Sequence, residues 1–351
     1  MSSHLISRRL AYLRHLSWYL SRSKPIPLCS DLDPFLPVPD LTGVTVTWPT
    51  RYSWPQAGPR LDQVKSALSA YVPIEQHSGT NRDRVWRAAG GFPVPQAEYD
   101  LIGMPGHPKG PYDIRGEVFE VYQGGKVVQC AYDYSDYPVI STDIATQVDY
   151  YFKCIVPPTP VPRNVISIGY FARNPRLLAK ARALVLRGIV PKDIGVYGRF
   201  GTWTGSQAFR ASLVERLRES SLPFVGGFGT HVYAAYMKDL LRAKIAIEVP
   251  GQAPITYRLP EAMALGAVVV ARAPACVFPE PLVDGVHYVA MNEDASNVVE
   301  ICEALLNDDE QRRQIADSAM EYFDRNFSPQ SRARRILQQT VYNGGMTIND
   351  K

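Results

Sequence analysis

The chain lacks a cysteine framework: its five cysteines, Cys29, Cys130, Cys154, Cys276 and Cys302, are dispersed, odd in number and never in CxxC spacing. That argues against a disulfide scaffold or a zinc site and fits a reducing compartment. Long hydrophobic runs are also missing, none approaching the roughly eighteen apolar residues that suggest a membrane span. The N-terminal stretch does not read as a secretory signal, because arginine and histidine interrupt its apolar part and no small-residue cleavage site follows. No acidic residue precedes Asp31. What is present, 351 residues that are 46% hydrophobic and 21% charged, describes a soluble globular chain long enough for two domains. The expected location is cytoplasmic. A net charge of +4 permits an anionic partner without requiring one.

Charge is uneven at the start. Arg8, Arg9, Arg14, Arg22 and Lys24 all come before the first acid, and Ile6, Leu10, Leu13, Leu16 and Leu20 fall at helical spacing. Residues 5–20 therefore read as a basic amphipathic helix. It either packs on its own domain or makes a peripheral contact with an anionic surface, lipid or nucleic acid.

Prolines are dense from Pro25 to Pro59, which excludes long helices there. The run Gly43–Trp48 reads as a strand and Leu61–Tyr71 as a helix. Asp31-Leu32-Asp33 has the DxD form of metal-dependent sugar transferases, but no apolar strand precedes it and it reads as loop. Glu98–Gly103 reads as a short strand before a loop holding His107, an acid/base candidate or a plain loop histidine. Gly125–Tyr132 is a strong strand with Asp133, Tyr134, Ser135 and Asp136 directly after it. In open parallel sheets ligands lie beyond the carboxyl ends of strands, so Asp133 or Asp136 is either a catalytic carboxylate or a cap of the next turn. Asp149–Cys154 reads as another strand. Pro157–Pro162 holds four prolines in six residues, a stiff connector. The expected division is an N-terminal domain over 1–156, a linker over 157–163, a second domain over 164–342 and a frayed tail over 343–351.

The second half restarts with a strand at Asn164–Gly169, then a loop bearing Arg173 and Arg176 ahead of a helix at Leu177–Arg187. Two arginines at a helix start suit a diphosphate. A strand at Asp193–Tyr197 leads into a glycine-rich loop from Gly198. A second such loop, Gly226-Gly227-Phe228-Gly229-Thr230-His231, lacks the lysine and the spacing of a Walker or GxGxxG turn. It suits close backbone approach to a flat ligand such as a base, with Gly229 and His231 at hand. Ile245–Ile247, the loop around Gly251, a helix from about Thr256 to Gly266 and the strand Ala267–Ala271 then form one βαβ unit. Arg258 and Glu261 stand one turn apart near that helix start, with Thr256 and Tyr257 beside them. The helix end and the cation suit phosphate, and the carboxylate suits ribose hydroxyls. Three helices, near 295–306, 309–325 and 332–342, close the chain.

At this point the residues resemble a family. Thr256-Tyr257-Arg258-Leu259-Pro260-Glu261-Ala262-Met263-Ala264-Leu265-Gly266, followed by Val268-Val269-Val270, looks like the E-A-x-A-x-G donor motif of GT-B glycosyltransferases. About residues 160–330 are similar to their donor-binding domain. Two layouts within the superfamily are similar. The phage DNA β-glucosyltransferase type has arginines placed as Arg173, Arg176 and Arg258 are, a glutamate placed as Glu261 is, and a catalytic aspartate placed as Asp133 is. The CAP10-like and spore-maturation group is similar around Tyr257-Arg258-Leu259 and His287-Tyr288-Val289.

The resemblance implies an α/β fold of two Rossmann-like domains facing a cleft, with C-terminal helices. It implies transfer of a sugar from a nucleotide-diphosphate sugar, a UDP-sugar first, to an acceptor hydroxyl on a glycan, a small molecule or DNA. No cofactor and no metal ligand are implied. Asp133 or Asp136 would act as base, and Gly169, Arg173, Arg176, Gly198, Gly229, His231, Thr256, Tyr257, Arg258 and Glu261 would hold the donor. Family members that retain configuration carry a glutamate where this chain has Ala253, and its absence points to inversion. A DNA-base glucosyltransferase, a nucleotide-sugar epimerase and a silent sugar-nucleotide-binding protein stand as alternatives.

Overall fold

A computed structural model of the protein describes residues 40–49, 58–77, 116–201, 207–229, 232–251 and 253–342. The basic N-terminal segment, Asp31-Leu32-Asp33, Glu98–Gly103, His107, His231 and the tail over 343–351 lie outside them. Two sheets organise the rest. The first has the order β2-β1-β3-β4-β5-β6, built from β1 (Thr45–Pro49), β2 (Ile74–His77), β3 (Gly116–Gln123), β4 (Lys126–Asp133), β5 (Tyr150–Lys153) and β6 (Val165–Ser167). β3 and β4 form an antiparallel hairpin whose turn, Gly124-Gly125, has φ of 55° and 81°. Two successive positive φ angles are what a two-residue hairpin turn of matching twist requires, and glycine supplies them without strain. Sequence reading placed neither β2 nor β3.

One expectation is corrected here. The strand near Asn164–Gly169 does not open the second sheet; Val165–Ser167 pairs parallel with Tyr151–Lys153 as the last strand of the first. The chain leaves that sheet after Ser167, not at the prolines.

The second sheet is parallel throughout, with the order β11-β10-β9-β7-β8. Its strands are β7 (Ile194–Phe200), β8 (Phe224–Phe228), β9 (Ala243–Glu248), β10 (Val268–Ala271) and β11 (Val289–Ala290). Along the chain the helices are α1 (Gly58–Ser69), α2 (Thr142–Ala145), α3 (Pro175–Leu186), α4 (Gln207–Glu219), α5 (Tyr233–Leu240), α6 (Arg258–Ala264), α7 (Val298–Asn307), α8 (Asp309–Asn326) and α9 (Pro329–Leu337). β9 and β10 read as unbroken apolar runs because both faces are covered. Ala246 and Val269 pack with α5 and α6 on one face; Ile245, Ile247, Val268 and Val270 pack with α4 and α7 on the other. Asn174 caps α3 with Pro175 in its first turn, and Asp308 caps α8 by accepting from Glu310 and Gln311 N–H.

The two sheets share one core cluster, into which α9 runs back toward α1. Arg334 donates to Tyr71 Oη at 2.6 Å. Arg332 is buried and donates to the carbonyls of Ile168, Tyr170 and Phe327, fixing the segment that leaves β6. Gly169 has φ +73°, and a Cβ there would meet Asn326 O at 2.4 Å. Its role is thus a turn packed against the α8–α9 corner, not open approach to a ligand. Gly169→Ala is expected to cost about 2 kcal/mol or more, from the left-handed φ and the backbone clash together. Urea unfolding of the two proteins checks it.

Candidate functional site

β7 connects to β8 on one side of the sheet, while β9 and its successors are added on the other, so the strand order reverses between β7 and β9. Beyond the carboxyl ends of such neighbours a crevice opens, and ligands of doubly wound sheets bind there. Of the candidate donor residues, Arg173, Tyr257 and Glu261 come together here, brought by the segment after β6 and by α6, with Tyr233 of α5 beside them.

Glu261 sits in the first turn of α6, fully buried. Its Oε1 accepts from Arg173 N at 2.8 Å and Tyr233 Oη at 2.5 Å. Its Oε2 is buried with no hydrogen-bond partner, as is the Tyr236 hydroxyl, which lies near enough to influence the carboxyl without bonding it in full geometry. Burial pushes Glu261 up to about 7, against the lowering by the Tyr233 hydroxyl and the Arg173 N–H. Tyr233 belongs to a cluster of four tyrosines. Tyr233 stacks on Tyr236 at 5.6 Å, Tyr236 meets Tyr257 edge-on at 6.3 Å and Tyr197 at 6.0 Å. The Arg173 guanidinium is exposed and rests between two of these rings, 5.4 Å from Tyr233 and 5.5 Å from Tyr257. Arg176, the second residue of α3, is also exposed. A cation with no carboxylate partner among the described residues, on the residue whose backbone N–H meets a buried acid, can bind a diphosphate next to a hydroxyl.

Arg258 does not join Arg173. It is buried, donates to Glu248 Oε2 at 2.8 Å and to Arg199 O at 2.7 Å, and lies 5.2 Å over the Phe200 ring. Burial opposes its charge, but Glu248 reverses this and holds the guanidinium above its ordinary value. Arg258 therefore clamps the ends of β7 and β9 together, and the expected phosphate contact is replaced by a structural one. Thr256 is corrected likewise: its N–H and hydroxyl both go to Glu248, at 2.7 and 3.0 Å, and Thr256 Oγ1 receives Arg258 N. The Thr256 and Arg258 N–H groups at this helix end are thus satisfied by the protein. Arg210 completes the clamp, donating to Gly201 O at 2.8 Å and Pro250 O at 2.6 Å across the two loops. Burial lowers its pKa to about 10. Glu248, Arg210 and Tyr236 were missed by sequence reading. Glu248 ends an apolar strand just as Asp133 does, and that signal was there to be used.

Gly198 lies inside β7, paired with Gly226, where an added Cβ would meet the Phe200 ring at 2.9 Å; it is a packing glycine, not a loop one. Gly229 differs: φ is +140° and nothing stands within 4 Å of the missing Cβ, so backbone is open to approach.

On the first sheet, Asp133 is fully buried and saturated. Its Oδ1 accepts from Ser135 N at 2.8 Å and Ser135 Oγ at 2.6 Å, and its Oδ2 from Tyr151 Oη at 2.6 Å and Lys153 Nζ at 2.7 Å. A carboxylate with both oxygens so occupied, and paired with a fully buried ammonium, is unsuited to take a proton from an acceptor. Asp136, three residues on, is half-buried and accepts from Tyr170 Oη at 2.5 Å. Among the described residues no group of three His, Cys, Asp or Glu side chains is placed to share a metal ion.

Residues 176–338, just under half of the chain, match the model of a family described as glycosyl transferase-like. The matched residues hold the switch point of the parallel sheet and include the E-A-x-A-x-G segment on which the resemblance rested. No curated protein matches the sequence. Among solved structures, Anabaena Alr3699/HepE in complex with UDP-glucose is similar at 15% identity over 56% of this chain and 64% of its own, with a TM-score of 0.35. A glycosyltransferase from Rickettsia africae ESF-5 is similar at 10% identity over 85% of this chain and 98% of its own, with a TM-score of 0.40. An alpha-glucosyltransferase in complex with UDP-glucose and DNA containing an abasic site is similar at 12% identity over 53% and 64%, with a TM-score of 0.34. The match thus spans less than two thirds of the Alr3699/HepE chain. Among the described residues no helix is long and apolar enough to cross a membrane.

Proposed function

We propose that the protein transfers a sugar from a nucleotide-diphosphate sugar, a UDP-sugar first, to an acceptor hydroxyl. The observation that carries this is the vacant, buried Oε2 of Glu261 beside the exposed Arg173 at the sheet's switch point. Glu261 would accept a ribose hydroxyl, Arg173 and Arg176 would neutralise the leaving diphosphate, and the open backbone at Gly229 would lie along the base. Asp136 would serve as general base, since Asp133 is consumed by Lys153 and Tyr151. Displacement would proceed with inversion. With the diphosphate charge met by arginines, turnover is expected to survive a chelator; loss of turnover that manganese restores would contradict this. The function itself is tested by thermal shift against a panel of sugar nucleotides, then by product mass with oligosaccharide, small-molecule and duplex-DNA acceptors. Donor conversion with no acceptor present would mark an epimerase instead.

The raised pKa of Glu261 makes donor affinity depend on pH. Its folded value of about 7 lies above its ordinary 4.5, so the empty fold keeps a proton that the unfolded chain releases. That contribution to stability is present below the ordinary value and lost as pH rises through 7. Donor binding, which needs the carboxylate, moves the other way and is expected to tighten roughly tenfold between pH 6 and pH 8. Calorimetry with a sugar nucleotide, whose capped diphosphate does not titrate in this range, reads it; a flat profile, or the same slope in Glu261→Gln, would assign the dependence elsewhere.

A further inference from the structure

The chain passes from the first sheet into its second half through one short segment, and that segment holds both of the carboxylates assigned above. Tyr170 Oη donates to Asp136 Oδ1 at 2.5 Å. Three residues later, Arg173 N–H donates to Glu261 Oε1 at 2.8 Å. Three residues span at most about 11 Å even when fully extended, so the two points of attachment cannot drift apart. The segment is itself held. Gly169 turns at φ +73° against the α8–α9 corner, and buried Arg332 donates to the carbonyls of Ile168 and Tyr170 on either side of that turn. The Tyr170 ring is buried and stacks on Phe171 at 4.7 Å, and the Arg332 guanidinium lies 5.9 Å over the Phe171 ring.

Resting on the transfer reading above, we propose that Tyr170 is the positioning residue of the general base, setting Asp136 against the donor held by Glu261. Its hydrogen bond occupies Oδ1 and directs the carboxylate. Oδ2, which accepts no hydrogen bond from the described residues, is left to receive the acceptor's proton. Asp133 is the contrast, with both oxygens occupied. Proton transfer depends on where the base stands, and a misplacement of about 1 Å costs on the order of 100-fold in rate. Asp136 is half-buried in the loop after β4, and the tyrosine ties that loop to the segment that holds Glu261. A tyrosine that only braced the fold would act on stability; one that aims a base acts on kcat.

The test compares the full-length protein with Tyr170→Phe, Asp136→Asn and the double variant. Release of nucleoside diphosphate from UDP-glucose, GDP-mannose and dTDP-glucose is followed with water as acceptor. Phenylalanine keeps the ring that stacks on Phe171, and melting curves verify that each variant folds. Tyr170→Phe is expected to lower kcat about 10- to 100-fold with the donor KM unchanged. Asp136→Asn is expected to lower kcat about 100- to 10,000-fold. Adding Tyr170→Phe to it is expected to cost nothing more, because no base remains to be aimed. A hydrogen bond also tempers the base it serves, so loss of the bond without loss of aim would leave Tyr170→Phe as fast as the wild type or faster. That result, or a full further loss in the double variant, overturns the positioning role and leaves Asp136 as base. Wild-type turnover in Asp136→Asn overturns the base and the positioning role together, as does a wild type that releases diphosphate from none of the three donors.

Discussion

Replacing Asp133 by asparagine is expected to destabilise the protein by about 3–5 kcal/mol, the usual consequence of removing one partner of a buried ion pair. Lys153 and Asp133 are both fully buried and 2.7 Å apart, so asparagine leaves an ammonium with no counter-charge where water cannot reach it. Chemical denaturation should show the loss directly, and turnover should fall only as the folded fraction falls. A catalytic base would give the opposite pattern, with turnover abolished and the unfolding midpoint unchanged. The double variant Asp133→Leu, Lys153→Met sharpens the test: removing both charges together often restores stability, and here it should recover most of what the single variant loses.

Glu248→Ala is expected to have an effect of similar size, about 3–5 kcal/mol, with an added consequence for the ligand. Glu248 balances Arg258 and holds Thr256 through two hydrogen bonds. Its removal leaves a buried guanidinium uncompensated and frees the loop between β9 and α6. Since α6 carries Glu261, donor affinity should fall even at temperatures where the variant remains folded. Differential scanning calorimetry with and without sugar nucleotide separates the two effects. A wild-type melting temperature in Glu248→Ala would show that the clamp contributes little.

The second half was legible because its elements obey strong local rules. β9 and β10 are apolar runs of the length a doubly covered parallel strand needs, while α3 starts at Pro175, two residues before the expected Leu177, because Asn174 caps it. Glu261 was legible because it stands one turn from Arg258 near the start of a helix that follows an apolar strand, where a carboxylate suits ribose hydroxyls. The partners of the charged residues were not legible. Arg258 was read outward with Glu261, but the acid it meets, Glu248, stands ten residues earlier at the end of β9. Asp133 looked available because the register that sets Lys153 opposite it in β5 is a tertiary fact, absent from local pattern. β6 was assigned to the wrong sheet for a related reason. Three β-branched and small residues look alike whichever sheet they join, and the buried Arg332 that ties the following segment to α9 lies 164 residues away. Asp136 was the weaker of two candidates until the saturation of Asp133 left it as the accessible one.

In the proposed function a sugar nucleotide is held through the vacant oxygen of Glu261. The most direct measurement is calorimetric titration of the sugar nucleotide giving the largest thermal shift, into the wild type and into Glu261→Gln. Glutamine keeps the Oε1 acceptor for Arg173 N–H and Tyr233 while replacing Oε2 by a donor. The account predicts a roughly 10- to 100-fold loss of affinity, the size of a lost hydrogen bond to a charged group, with the melting temperature of the empty protein little changed. Equal affinity in the two proteins would contradict it.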